Sequence, residues 1–454
     1  SGDDAKKEGQ NVFEILTGVA ICILVKDGSD NHKIFYNDIG DYLSRKEKLM
    51  NLSDFSDISN LNWINIIPDK NHDWINQRDE GYQKFTPLDP VEKGIFDMKS
   101  LGVSTNRDAW AYGYSKAVVE QNTERMVRNF NYEIERLANV SDRKQAIENV
   151  NSDPKFISWS RGLKNIFAKG DKIELNPDEL ALHSYRPFTK KWLYYDKNVI
   201  EMSRKFRKTF GDKNRVILVP GMGSRRDFSC IMVDSIPDLN MLDAGAQGFS
   251  LYNNDHIELF SNDISNINKK YLDQFQMAEE DLFYYIYAVL HSKDYRNKFQ
   301  SDLKKSLPRI PKLKNYQRYV EVGYKLSRLH INYEEIPPYT DVQIEYKKKN
   351  PSYLVQKMKF QKRGRLDTII YNSDITIKGV PEKAYEYVIN GRSAIEWVID
   401  QYKMKIDSAS GLIDDPNEYS NEPQYIFNLL LSIINVSVQT VDLVNSLPPF
   451  EIEE

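Results

Sequence analysis

Residues 215–234 read RVILVPGMGSRRDFSCIMVD. Two apolar runs, Arg215–Val219 and Phe228–Val233, flank a stretch carrying Pro220, Gly221 and Gly223, a pattern that predicts two strands joined by a turn. WLYYD at 192–196 and GFSLYNN at 248–254 share this texture, each bounded by turn residues. A small β-rich region is therefore expected between about 176 and 263.

The flanks read differently. From about Leu43 to Val150 the pattern is helical, most clearly at Ala117–Leu137, where one apolar stripe opposes a charged face, as in a helix packed on a neighbour. Helices are also expected at Ala278–Leu290, Tyr295–Leu303 and Gln317–Leu329, with closing helices at Glu382–Ile389, Ala394–Tyr402 and Gln424–Val444. Tyr353–Phe360 and Thr368–Tyr371 read as strands. At the start, the apolar run Asn11–Lys26 and Lys33–Tyr36 read as a strand pair, and two strands need a larger sheet to be stable. The expected fold class is α+β, divided at 1–45 (terminal strands of a sheet), 46–150 (a helical spacer) and 151–454 (a mixed domain with a β-rich core and closing helices).

Composition narrows the function. The chain has 454 residues, 41% hydrophobic and 28% charged, with a net charge of −4; this excludes a uniformly basic nucleic-acid coat and leaves local patches. Asp3, Asp4, Lys6, Lys7 and Glu8 stand where the apolar core of a signal peptide would begin. Ile15–Val25 and Ile426–Val438 are too short or interrupted for a bilayer. A cytoplasmic setting without membrane contact is expected, with Cys22 and Cys230 as buried thiols. The first residues, Ser1-Gly2, read as the start of a fragment or processed product. Six scattered histidines offer no metal-ligand spacing.

No catalytic residue can be nominated. Val219–Ser224 holds a lone G-x-G, better read as a hairpin turn than a cofactor loop. Ile336-Pro337-Pro338-Tyr339 lacks the polar side chain that would accept hydrogen bonds from an exocyclic amine, and reads as a rigid connector after a helix. His183 and His291 lack a nucleophile or carboxylate suggested by sequence, so satisfied, partly buried histidines are expected.

The charge distribution points elsewhere. Arg186–Arg226 is strongly positive within an acidic chain and interleaves Arg186, Lys190, Arg204, Lys205, Arg207, Arg225 and Arg226 with aromatic residues, which suits phosphate and base contacts. Lys293–Arg328 is a second basic stretch. Lys347–Arg365 is a third, with Lys348, Lys349, Arg363 and Arg365 as candidate contacts. Arg225 and Arg226 are the sharpest candidates, because a turn can carry arginine to a base edge. Solvated basic faces on a scaffold that couples neighbouring domains would look the same in sequence.

Several stretches together resemble the C-terminal part of Type ISP (single-polypeptide) restriction-modification enzymes: NVFEILTGVAICILVK at 11–26, TNRDAWAYGYS at 105–115, HSYRPFTKKWLYYD at 183–196, DLFYYIYAVLHSKDYRNKF at 281–299, LPRIP at 307–311, YEYVINGRSAIEWVIDQYK at 385–403 and SGLIDDPN at 410–417. In that family a nuclease, a helicase-like translocase, an adenine-N6 methyltransferase and a target-recognition domain share one chain. The resemblance implies that 1–45 ends a methyltransferase sheet and that, beyond the spacer 46–150, residues 151–454 recognise double-stranded DNA beside the remaining methyltransferase, helicase-like and nuclease domains. It also implies a parent using S-adenosylmethionine, ATP and Mg²⁺, with none of these held by this piece, and Phe13 as the contact to a flipped base.

Overall fold

The computed structural model describes residues 11–13, 19–30, 32–40, 43–140, 142–203, 214–253, 264–362 and 364–453. They form two compact units, Ser1–Arg78 and Asp79–Glu454.

In the first unit, Ile34–Tyr36 pairs antiparallel with Ile64–Ile66, with the Ser44-capped helix Arg45–Asp54 between them in the chain. The expected partner of Ile34–Tyr36 is the run Asn11–Lys26, whose residues 14–18 lie outside the described ones; its described residues are not in that ladder. Among the described residues, Val19–Lys26 has no strand partner, and Ile21, Leu24 and Val25 are exposed. β-propensity alone cannot make a strand, because the ladder hydrogen bonds need a second chain segment. Cys22 is consequently exposed rather than buried, and so is Phe13.

The second unit is organised by Val216–Val219, whose four residues are all buried. This strand lies between Gln247–Ser250 and Ile231–Val233 in a four-stranded antiparallel sheet that has Ser100–Leu101 at its far edge. Side chains alternate across a strand. Val216 and Leu218 thus enter one core with Ile231 and Val233, and Ile217 and Val219 enter another with Met232 and Phe249. A sheet covered on both faces needs a continuous apolar run, and VILV supplies it.

The first face is covered by a second antiparallel sheet, in the order Gln343–Tyr346, Ile375–Lys378, Arg365–Ile370, Lys359–Lys362, and by helix Tyr425–Asn445. That helix is long and apolar enough to cross a bilayer, yet two thirds of its most apolar stretch is buried in this core. The other face meets helices Glu279–His291 and Tyr316–Ile331. A third core joins helices Lys116–Arg136 and Arg161–Lys169 to a sheet of Tyr112–Gly113, Thr189–Tyr194 and Leu180–Arg186. Residues on both sides of position 150 therefore share one core.

The mixture of helix and small sheets is the α+β class read from the sequence. One closing element differs. Glu382–Ile389 is a short 3-10 turn, Glu382–Tyr385, followed by strand Val388–Ile389, which pairs with Arg392–Ser393 across Asn390-Gly391. Asn390 and Gly391 have φ of 51° and 77°, as a two-residue hairpin turn requires, and that turn ends any helix.

Candidate nucleic-acid interface

Leu218 pairs with Ile231, so residues 220–230 leave the central sheet as a broad hairpin loop. Three other segments fasten it. Gly221 donates its N–H to the Asp243 carbonyl at 3.1 Å, and a Cβ on Gly221 would stand 2.1 Å from the Ala244 oxygen, so the loops touch backbone to backbone. The Gly223 N–H donates to the carbonyl of Lys304, at the end of helix Gln300–Lys305, and Lys304 pairs with Asp227 at 3.4 Å. The Asn390 N–H donates to Ser229 Oγ, and Asn390 Oδ1 accepts the Asp243 N–H.

The arginines stand on this frame. Asp243 Oδ2 accepts the Arg225 N–H at 2.8 Å and lies 3.2 Å from the Ser224 hydroxyl. Burial raises the Asp243 carboxyl, but the Arg225 and Ala244 N–H groups, the Ser224 hydroxyl and the Arg225 charge outweigh it, holding Asp243 below the usual carboxylate range. Arg225 is exposed, Met222 beside it is 65% exposed, and Arg226 is half-buried against the turn at Gly391. The loop thus presents cations and one apolar side chain on an anchored backbone, and such a surface can meet phosphates and base edges.

Arg186 and Lys190 are drawn into ion pairs beneath the surface. Arg186 is 15% exposed; its guanidinium meets Asp238 at 2.6 Å and lies 3.9 Å over the Tyr185 ring. Burial lifts the Asp238 carboxyl to about 6 against the pull of Arg186, and the pair is ionic at neutral pH. Lys190 is 18% exposed and pairs with Glu334 at 3.1 Å. Its neighbour Lys191 pairs with Asp414 between the rings of Tyr114 and Tyr185. Arg204, Lys205, Arg207 and Arg363 lie outside the described residues.

The third basic stretch is split by sheet register. Lys348 and Lys349 follow Tyr346, which pairs with Ile375, whereas Arg365 lies beyond the Thr368–Lys378 pair at the opposite end. Lys349 is exposed. Lys348 is 65% exposed in its pair with Asp374, and Arg365 is 56% exposed beside Asp367. The Arg365–Asp367 pair, exposed on both sides, is worth little, whereas Asp374 is itself buried and holds Lys348 from below. From the second stretch, Lys304 meets the arginine loop.

Asp243, Asn390 and Gly391 were not legible as site residues, although the Asn-Gly dipeptide is a hairpin signal. Ile336–Tyr339 follows helix Tyr316–Ile331 as a connector, the Tyr339 N–H donating to the Leu431 carbonyl. His183 and His291 are fully buried. His291 Nδ1 lies 3.3 Å from Cys230 Sγ, a pairing that sequence spacing did not suggest. Burial raises that thiol to about 11 and holds His291 well below its usual value, the reverse of an activated nucleophile. Among the described residues, no cluster of three or more His, Cys, Asp or Glu could hold a metal. A Cβ on Gly221 would run into the Ala244 carbonyl, so that glycine serves close packing between two backbone segments of the protein.

Comparison with known proteins gives this geometry a family. The chain is 46% identical to a nuclease-deletion mutant of the Type ISP restriction-modification enzyme LlaGI in complex with a DNA substrate mimic, with a TM-score of 0.90 over 99% of this chain and 42% of that one. The ATP-dependent Type ISP restriction-modification enzyme LlaBIII, bound to DNA, is 38% identical, with a TM-score of 0.87 over 98% of this chain and 30% of the other. A DrdV–DNA complex matches at 26% identity and a TM-score of 0.82, over 98% of this chain and 46% of that one. The chain thus spans less than half of each. No curated protein matches it. The Type ISP C-terminal specificity domain matches residues 94–429, about three quarters of the sequence, and the chain belongs to that family.

Proposed function

We propose that this chain reads the sequence of double-stranded DNA as the specificity part of a Type ISP restriction-modification enzyme, with Arg225 and Arg226 meeting base edges and Lys348 and Lys349 meeting phosphates. One observation carries the reading: an arginine loop, fastened by three other segments, projects from a sheet buried on both faces. A rigid mount matters because a bidentate arginine–guanine contact discriminates only when the fork arrives in one geometry. Lysines at exposed strand ends supply affinity without sequence information. In this reading recognition positions the chemistry. Methyl transfer from S-adenosylmethionine and ATP-driven steps needing Mg²⁺ belong to the methyltransferase, helicase-like and nuclease domains of the parent, and Phe13 serves the flipped base.

Selection of bound sequences from a randomised duplex library tests the proposal. Enrichment of a short common sequence is expected, with log K falling by about 0.9 per phosphate contacted for each tenfold rise in salt. Salt-insensitive binding without enrichment would favour a scaffold.

A further inference from the structure

The hairpin Val388–Ile389/Arg392–Ser393 touches the arginine loop through its turn. Gly391 has φ +77°, and a Cβ built there would stand 3.0 Å from Cδ, 3.2 Å from Nη1 and 3.4 Å from Nε of Arg226. The bare glycine is therefore the surface on which the end of the Arg226 side chain rests. The hairpin is held firmly. Trp397 Nε1 donates to the Ile389 carbonyl at 2.8 Å, and Ser393 and Glu396 cap the helix that follows. Asn390 bonds to Ser229 within the loop and to Asp243 of the segment that fastens it. With the backbone so fixed, a side chain at 391 strains the turn at φ +77° and presses on Arg226, whose flexible end must give way by a few tenths of an ångström for the Cβ alone and further for a larger side chain.

We infer that Gly391 is a positioning residue for sequence readout: by offering no Cβ beneath Arg226, it fixes where that guanidinium can reach and hence which base pair it reads. The inference rests on the proposed base-reading role of Arg226. Arg225, held through its backbone by Asp243 rather than by this contact, is left where it is.

The test measures affinity for the library-selected duplex, its single-base-pair substitutions and a random duplex. Gly391→Asn is the main variant, because asparagine tolerates positive φ but brings atoms into the space of Arg226. Discrimination should fall at least fivefold at the base pairs that Arg226→Ala also relaxes, with random-duplex affinity changed less than twofold. In an Arg226→Ala background, Gly391→Asn should add nothing, because the side chain it displaces is gone. If Gly391→Asn does not fold, Gly391→Ala, adding only the Cβ, replaces it with the same pattern in smaller degree. An unchanged site ranking in the glycine variant, or an effect that adds in full to Arg226→Ala, overturns the inference alone. An unchanged ranking in Arg226→Ala itself overturns the base-reading role, and the inference falls with it.

Discussion

Arg186 and Asp238 meet at 2.6 Å beneath the surface, joining the hairpin strand Leu180–Arg186 to the segment that enters Leu239–Met241. Removing one partner of a buried pair strands the other charge, which costs roughly 3–5 kcal/mol. Arg186→Ala should therefore lower the midpoint of chemical denaturation markedly, while the folded variant keeps its preference among duplexes. A variant of unchanged stability but altered site preference would move Arg186 from the scaffold to the DNA surface.

The two cysteines should differ in reactivity. Cys22 is exposed, and Cys230 is buried with its thiol raised to about 11. Thiolate is the reacting form, so iodoacetamide at neutral pH should modify one site in the folded chain and two in denaturant. Rapid labelling of Cys230 in the native chain would contradict its burial against His291.

Acid should destabilise the fold early. Burial holds His183 at about 4, His330 at about 3 and His291 well below its usual value, so all three stay neutral in the folded state while the unfolded chain protonates near pH 6.5. Depressed histidines contribute stability that is present above that pH and lost as pH falls. Asp238, raised to about 6, works in the opposite sense by taking up one proton in the folded state. The balance near pH 5 is about two protons, or about 3 kcal/mol per pH unit. Denaturation midpoints measured from pH 7 to 5 should fall accordingly, and a flat profile would place these histidines in contact with water.

Local pattern carried part of this structure. Ala117–Leu137 is the helix Lys116–Arg136 within one residue, and VILV is the central strand. The α+β class followed from such elements. The destination of the charges did not, because Arg186 is neutralised by Asp238 from 52 residues away and Lys190 by Glu334 across a still longer separation. A basic stretch in sequence mixes such buried pairs with surface cations, and only the fold sorts them. The frame of the arginine loop was hidden for the same reason, since Asp243 and Asn390 are 147 residues apart. In the run Asn11–Lys26, Val19–Lys26 has strand composition but no strand partner among the described residues, because a ladder needs a second segment that local pattern does not supply.

The division between base reading and phosphate contact is the central claim, and a specificity profile of two double variants tests it most directly. Arg225→Ala with Arg226→Ala, and Lys348→Ala with Lys349→Ala, are each measured against the selected duplex, its single-base-pair substitutions and a random duplex. The arginine variant should lose roughly 1–3 kcal/mol of discrimination at one or two base pairs, and the lysine variant should weaken binding to every duplex alike. If the arginine variant keeps the wild-type ranking of sites and only binds all of them less well, the loop does not read sequence.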